Sequence, residues 1–446
     1  MAGRLSELAR KHMVPGAQLA VHRGGETLSV AVGATRSGGG EPVTTGTAFA
    51  FGSVSKAFTA TAVLQLVSDG DLELDLPICE YVPELREPVD ESMSSITLRH
   101  LLSHTSGLVA DHELDDIEER SLLRYASSVA ATRLLHRPGQ CFSYANTGYN
   151  LLGRAVEAVT GMTWRTAVED FLLRPLDIGP VFLHGPAGSP ARSRAINHTV
   201  RPDDDRARPV GLFLPQTWAP ASGLAGSAED LAGFARLHMG LHPAANAVLG
   251  DDHRRDMHTP VPGADAFGMA DGWGLGLACY TDADSRPGAS PFDWFGHDGT
   301  VDGGTCHLRF QPETGTAVAF TANATTGTLL WSDIVEELRA LGISVADYHP
   351  DVPGTATSPD PGRLLGDYLN GDTRFSLRPH CDGIRLSDRT GLVADVTLHD
   401  RMIFTARRVD ASEAPYTGRF VLDGATGDVA LMQLGGRSAQ RLTTAA

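Results

Sequence analysis

Apolar and polar positions follow a helical rhythm from about residue 4 to 13 and stop before Pro15. Two runs, "AQLAVHR" and "TLSVAVGA", then read as strands parted by Gly24 and Gly25, a hairpin signal. A long helical pattern spans about Ser53 to Ser68 and closes at "DGD". Between about 95 and 240 the pattern is mostly helical. Its clearest segments are "ITLRHLLSHTSGL", "NLLGRAVEAVTG" and "SAEDLAGFARLHMG", each with apolar residues three and four apart and a glycine near its end. From about 273 to 323 the rhythm turns to strands, in "GWGLGLACY", "GGTCHLRFQP" and "TAVAFTANA", before "LLWSDIVEELRALG" returns to a helix.

The segment "YHPDVPGTATSPDPG" (348–362) breaks this order with Pro, Gly, Ser and Thr and reads as a linker. It separates a unit of residues 1–347 from a β module of 363–446, whose short strands are broken by Gly and Asp. A length of 446 residues is in keeping with two or three such units.

Composition narrows the function classes. A net charge of −17 leaves no basic surplus for phosphates, which argues against a nucleic-acid partner. No window approaches the roughly 18 uninterrupted apolar residues of a membrane span. The N-terminal "MAGRLSELARKHMVPG" lacks an apolar signal-peptide core, so a cytoplasmic location is expected. Five scattered cysteines without C-x-x-C spacing read as reduced core residues rather than disulfides or zinc ligands. His100 and His104 share a helix face, but the Glu of H-E-x-x-H is missing, so no metal is expected. No phosphate-loop or dinucleotide fingerprint appears, and no cofactor is expected. The acidic runs "DHELDD" and "PDDDR" read as solvated surface.

One compositional contrast points to chemistry. Of 37 Lys and Arg residues only Lys11 and Lys56 are lysine, and Lys56 lies inside an apolar helical pattern. Ser53 precedes it by three residues at the helix start, so both side chains share a face a turn apart. A serine hydroxyl needs an adjacent base to become a nucleophile. Lysine serves if desolvation lowers its pKa; arginine cannot release its proton. The helix start adds free N–H groups suited to an oxyanion.

Two further pieces follow in order. Tyr-x-Asn occurs as Tyr144–Asn146 after a turn signal, and again as Tyr368–Asn370 in the β module, where it reads as a surface turn. Alone, Tyr144 reads as a packed core residue; with Ser53 and Lys56 it becomes a candidate proton relay. His-x-Gly occurs at His238, which reads as a helix cap, and at His297. There "WFGHDGTVDGG" precedes a strand and its glycines allow close backbone approach, making His297 the better candidate.

With "GSVSK", "YAN" and "HDG" in this order, the chain resembles the serine β-lactamase-like proteins, the group that includes penicillin-binding proteins. "LLSHTSGL" and "GLAGSAEDLAGFARL" add to the likeness, which covers about residues 10 to 345. The resemblance implies an α/β (α+β) fold: an antiparallel sheet flanked by helices, with an all-helical subdomain and the active site between them. It implies Ser53 as the acylated nucleophile and Lys56 as its activating partner. Tyr144 would relay the proton, and Asn146 would orient Lys56 and bind a substrate amide. The backbone N–H groups of Ser53 and Thr300 would form the oxyanion hole.

His297 stands where β-lactamases carry the lysine that faces a substrate carboxylate, so β-lactam turnover is not favoured. Histidine there resembles the esterase and D-aminopeptidase branches, and also the penicillin-binding-protein-type thioesterases that cyclise nonribosomal peptides. A small lipocalin-like β-barrel after the catalytic domain fits the cyclases and some D-peptidases. "VPGAQLAVHRGG" and "GHDGTVDGGTCHLRF" look most like the cyclases. The expectation is a stand-alone cyclase acting in trans on a linear peptidyl thioester, presented by a carrier-protein domain of a nonribosomal peptide synthetase. The family implies a D-residue at the acylating end. A D-stereospecific peptidase or esterase using water is the alternative, followed by a β-lactamase or a non-catalytic relative. A late arginine, Arg437 or Arg441, could steer a substrate oxygen or be a plain surface cation.

Overall fold

In a computed structural model the described residues are 1–116, 119–179, 181–184, 192–201, 206–282, 292–354, 361–381, 383–389, 391–409 and 415–442. Residues 355–360 of the Pro- and Gly-rich segment after Tyr348, and residues 202–205 of "PDDDR", lie outside them.

The chain opens with helix α1 (Ala2–Lys11) and the expected hairpin, β1 (Gly16–Arg23) and β2 (Glu26–Gly33). After the central helix α2 (Ser55–Ser68), α3 (Asn146–Thr160) and α4 (Ala228–His238) come five more strands. These are β3 (Gly272–Trp273), β4 (Ala278–Tyr280), β5 (Trp294–Val301), β6 (Gly304–Gln311) and β7 (Thr316–Ala322), followed by α5 (Gly327–Ala340). The seven strands form one sheet in the order β2-β1-β7-β6-β5-β4-β3, every ladder antiparallel.

"TAVAFTANA" is apolar without alternation because both faces of β7 are covered. Ala317 and Ala319 join the core of α2 and α4, whereas Val318 and Phe320 join Leu5, Leu8, Trp331 and Ile334 of α1 and α5. Helix α2 lies at the centre of the larger core and is buried from Ser55 to Leu64. A helix apolar on every side has this position because no face of it tolerates water. Its neighbour α4 meets it through Phe58 and Phe234, whose ring centroids stack at 3.8 Å.

Some expected elements are shorter than their patterns. "ITLRHLLSHTSGL" is helical only over Leu98–Leu102: Thr97 caps its start, and His104 (φ 57°) and Gly107 (φ 78°) turn the chain away. "GWGLGLACY" is two short strands split by a turn at residues 274–277. The cysteines are free but not all core: Cys279 and Cys306 are buried, and Cys381 is exposed.

Residues 366–441 form a closed barrel of eight strands. They are β8 (Gly366–Asn370), β9 (Thr373–His380), β10 (Gly383–Ser387), β11 (Val393–Leu398), β12 (Ile403–Arg408), β13 (Tyr416–Leu422), β14 (Val429–Leu434) and β15 (Arg437–Arg441). Each pairs with the next, and β8 closes on β15 through Tyr368–Arg441 and Leu369–Gln440. This up-and-down closure removes both sheet edges, as in lipocalin-like barrels.

The β14–β15 hairpin docks on the segment that carries Leu135, Phe142 and Ser143. Gln433 Nε2 donates to the Phe142 carbonyl at 3.0 Å, the Ser438 N–H to Ser143 Oγ at 3.1 Å, and Gln440 Nε2 to the Leu135 carbonyl at 2.6 Å. The second Tyr-x-Asn is therefore no surface turn. Tyr368 and Asn370 lie buried on β8, and the Asn370 side chain accepts from Ala110 N (2.8 Å) and donates to the Ser438 carbonyl (2.7 Å). His238 is the last residue of α4 and is buried, with Nε2 3.2 Å from Thr61 Oγ1.

Candidate active site

Ser53 sits in a 3-10 turn (Gly52–Val54) that feeds α2, preceded by Gly52 at φ 53°. Glycine is required here twice over. A Cβ at Gly52 would lie 2.8 Å from the Thr300 carbonyl oxygen and 3.0 Å from its nitrogen. From the other side, a Cβ at Gly299 would come within 2.0 Å of the Phe51 carbonyl oxygen and 3.1 Å of Ser53 N. The serine turn and the edge of β5 thus press backbone to backbone, and the N–H groups of Ser53 and Thr300 are near neighbours. The first N–H groups of a helix have no intrahelical acceptor, so this is a place for negative charge.

Lys56 is fully buried on the first turn of α2. Its Nζ lies 3.0 Å from Ser53 Oγ and 3.0 Å from the Ala221 carbonyl oxygen. Burial pushes its pKa well below the usual lysine value; Arg437 pushes the same way, and Asp111 opposes both. A neutral amine fits these contacts: one N–H serves Ala221, and the lone pair accepts the Ser53 O–H.

The Tyr144 ring centroid is 4.9 Å from Lys56 Nζ. Burial raises the phenol pKa, whereas Ser53 and Arg437 lower it. Although Ser53 lies near enough to act on it, the Tyr144 hydroxyl makes no hydrogen bond of normal geometry. Its ring packs on His104 (centroids 4.2 Å), Trp273 (5.8 Å) and His297 (6.2 Å).

His297 points into this aromatic group, 5.3 Å from the Trp273 ring. Its Nδ1 is 2.6 Å from the Asp298 carbonyl oxygen, which only accepts, so Nδ1 carries the proton. Nε2 is left as a buried acceptor without a partner. Burial, with Lys56 second, pushes the pKa down to about 3, so the ring is neutral near pH 7. The next residue, Asp298, is tied to His307 Nδ1 (2.7 Å) and Arg309 Nη1 (2.7 Å), which anchors β5 from behind.

Asn146 opens α3, and its Nδ2 donates to Asp111 Oδ1 at 2.6 Å. Asp111 Oδ2 accepts from Arg437 Nη1 at 2.7 Å, and the Arg437 guanidinium carbon lies 6.0 Å from the Tyr144 ring centroid. Of the two late arginines, Arg437 is thus at the site. Arg441 instead donates to the Leu365 carbonyl within the barrel (3.1 Å).

The structure brings Ser53, Lys56, Tyr144 and His297 together, sets Thr300 against the serine turn, and ties Asn146 to Arg437. The acidic run "DHELDD" is not uniformly solvated surface, since Asp111 makes that tie. Asp111, Trp273 and the Ala221 carbonyl carry no site motif of their own, and His104 stands out in the sequence only in "LLSHTSGL" and by its spacing from His100. His100 and His104 do not converge on a metal: His100 Nδ1 accepts from Thr97 N, and His104 Nδ1 from Ala145 N. Among the described residues no cluster of three or more His, Cys, Asp or Glu is placed to hold a metal ion. No helix among them is long and apolar enough to cross a membrane.

A family model described as Beta-lactamase matches residues 1–342. Penicillin-binding protein 4 of Amycolatopsis lactamdurans is 34% identical over 378 residues, 82% of this chain and 96% of that protein. Esterase EstB of Burkholderia gladioli is 30% identical over 342 residues, 66% of this chain and 84% of its own. Among solved structures, SurE is similar over 99% of this chain and 98% of its own, at 40% identity and a TM-score of 0.86. It has also been solved with D-Leu.

Proposed function

The chain belongs to the Beta-lactamase family, and from that premise we propose that it is a serine acyltransferase releasing a carrier-bound peptide as a head-to-tail ring. The observation that carries the acyl-serine step is a buried Lys56, with its pKa driven down, 3.0 Å from Ser53 Oγ. Ser53 Oγ attacks the thioester carbonyl as its proton passes to Lys56. The oxyanion is met by the N–H groups of Ser53 and Thr300. The C–S bond breaks, the leaving thiolate takes the proton through Tyr144, and a peptidyl-serine ester remains.

In the second half the peptide's own N-terminal amine attacks this ester. His297 Nε2, a neutral acceptor, takes a hydrogen bond from the attacking nitrogen, and Tyr144 passes the proton that this nitrogen gives up to Ser53 Oγ. The C–O bond breaks, and lactam and free enzyme result. A neutral imidazole here offers no cation for the free carboxylate of a β-lactam-type substrate, which supports a reading away from β-lactam hydrolysis. Likeness to SurE along nearly the whole chain, barrel included, and the D-Leu bound in one SurE structure support a D-residue at the acylating end. The β14–β15 hairpin is hydrogen-bonded to the Tyr144 loop, and in this reading it keeps out water, the competing acceptor. We place the reaction in the cytoplasm, where carrier-bound thioesters are made, with a carrier-protein domain as the partner.

Incubation with a linear peptidyl thioester ending in a D-residue tests this. Intact mass should show a peptidyl adduct on Ser53 that resolves to ring product. Linear acid as the sole product would replace the cyclase with a D-specific peptidase or esterase, a reading that similarity to an esterase keeps in view.

A further inference from the structure

Asp111 belongs to none of the three motifs, yet it joins two groups from different domains. Asn146 Nδ2 is 2.6 Å from one of its oxygens, and Arg437 Nη1, borne by the barrel, is 2.7 Å from the other. A carboxylate only accepts, so the Asn146 amide must turn its nitrogen toward Asp111. Its oxygen is then fixed on the opposite side, buried and without a partner. Arg437 spends one N–H on Asp111 and keeps the rest, with two-fifths of its side chain exposed.

We propose that Asp111 is a positioning residue that locks the Asn146 amide and the barrel's Arg437 into one unit, presenting an acceptor and a donor to the amide group of the acyl chain. The proposal rests on the acyl-serine reading. Asn146 Oδ1 takes the N–H of the amide next to the reacting carbonyl, and Arg437 donates to an oxygen of the same chain. Asp111 itself touches no substrate. It removes the freedom of a primary amide to flip and present its donor instead. It also makes recognition depend on the barrel being docked, because half of the unit is carried by β15.

Two chromogenic esters separate this role from a merely structural one: N-acetyl-D-leucine p-nitrophenyl ester, and p-nitrophenyl 4-methylpentanoate, which lacks the acetamido group. The ratio of their kcat/KM values does not depend on the fraction of folded enzyme, so partial misfolding of a variant cannot mimic the effect. The unaltered protein should favour the amide-bearing ester. Asp111→Ala should lower the ratio about tenfold, the scale of one lost hydrogen bond. Asn146→Ala should lower it similarly, and the double variant should fall no further, because the two act as one unit. No preference in the unaltered protein, a ratio within about twofold of it in Asp111→Ala, or losses that multiply in the double variant would each overturn the proposal. Absence of any acyl adduct on Ser53 with either ester would remove the acyl-serine reading and the proposal with it. An adduct with an unchanged ratio would remove only the role of Asp111.

Discussion

The Tyr144 N–H donates to the Gly436 carbonyl at 2.9 Å, so the loop that carries the candidate proton relay is hydrogen-bonded to the barrel. Gly436 sits at φ 75°, and a Cβ there would meet Met269 Sδ at 2.2 Å and Phe142 Cε1 at 3.3 Å. A β-branched residue is strained at such a φ and would lever the hairpin off the Tyr144 loop. Gly436→Val is expected to cost about 1–3 kcal/mol of stability and to lower kcat/KM by about 10- to 100-fold. Urea denaturation and ester kinetics check the two effects; full activity would show that the barrel contact does not position Tyr144.

Lys56 carries a stability cost with a defined sign. Above the unfolded lysine pKa of about 10.4 both states are neutral. Below it the unfolded chain binds a proton that the buried amine refuses, so stability falls with pH until the depressed folded pKa is reached. Lys56→Met removes this term. Its stability relative to the unaltered protein should therefore rise as pH falls from 10 toward 6, by up to about 1.4 kcal/mol per pH unit. Urea melts at several pH values measure it, and a difference that stays flat with pH would show Lys56 to be charged when folded. The same variant, and Lys56→Arg, should show no acyl adduct by intact mass.

With a pKa pushed down to about 3 by burial, His297 should stay neutral through the working pH range. Nitrogen NMR of ring-labelled protein is expected to report the Nδ1–H tautomer from pH 5 to 8, with no titration in that window. Because the folded pKa is below the unfolded one, His297 costs stability as pH falls from about 6.5 toward 3. Titration near 6.5 would contradict the buried neutral ring.

The Ser53–Thr300 approach predicts the effect of a single methyl group. A Cβ at Gly299 would come within 2.0 Å of the Phe51 carbonyl oxygen, which is backbone and cannot swing aside. Gly299→Ala should part the serine turn from β5 and open the oxyanion hole. A loss of about 100- to 1,000-fold in kcat is expected, as for removal of one oxyanion donor. Wild-type kcat would mean that the two N–H groups do not act together.

How far the sequence could be read follows from which contacts are local. Ser53 and Lys56 are three residues apart, so one helical turn defines their encounter, and the scarcity of lysine marked it. Strand runs such as "TAVAFTANA" were legible because covering both faces makes them apolar throughout. Asp111 was not: its partners lie 35 residues away at Asn146 and 326 away at Arg437. Nothing local distinguishes it from Asp115 or Asp116 in the same run. Asn370 was misread for the same reason, since a repeat of Tyr-x-Asn says nothing of the Ala110 N–H it meets across the domain junction. Helix "ITLRHLLSHTSGL" was overlong because the turn at His104 is imposed by its ring, which accepts from Ala145 N beneath Tyr144.

The charges facing Lys56 come from several elements, and in the proposed reaction they are expected to set its acid limb. Asp111, on the loop before α3, raises its pKa, and Arg437 on β15 lowers it; His104 and His297, both held neutral by burial, face it from the other sides. Acylation needs the neutral amine, so kcat/KM should fall as pH drops through the Lys56 pKa. Arg437→Gln removes a cation and leaves the Asp111 carboxylate unopposed. The Lys56 pKa then rises, and the acid limb of kcat/KM should move to higher pH. Turnover of p-nitrophenyl 4-methylpentanoate from pH 5 to 9 reads this directly, because that ester has no amide for Arg437 to recognise. An unmoved limb would mean that Arg437 acts on substrate alone; a limb moved to lower pH would reverse the sign of the coupling between barrel and base.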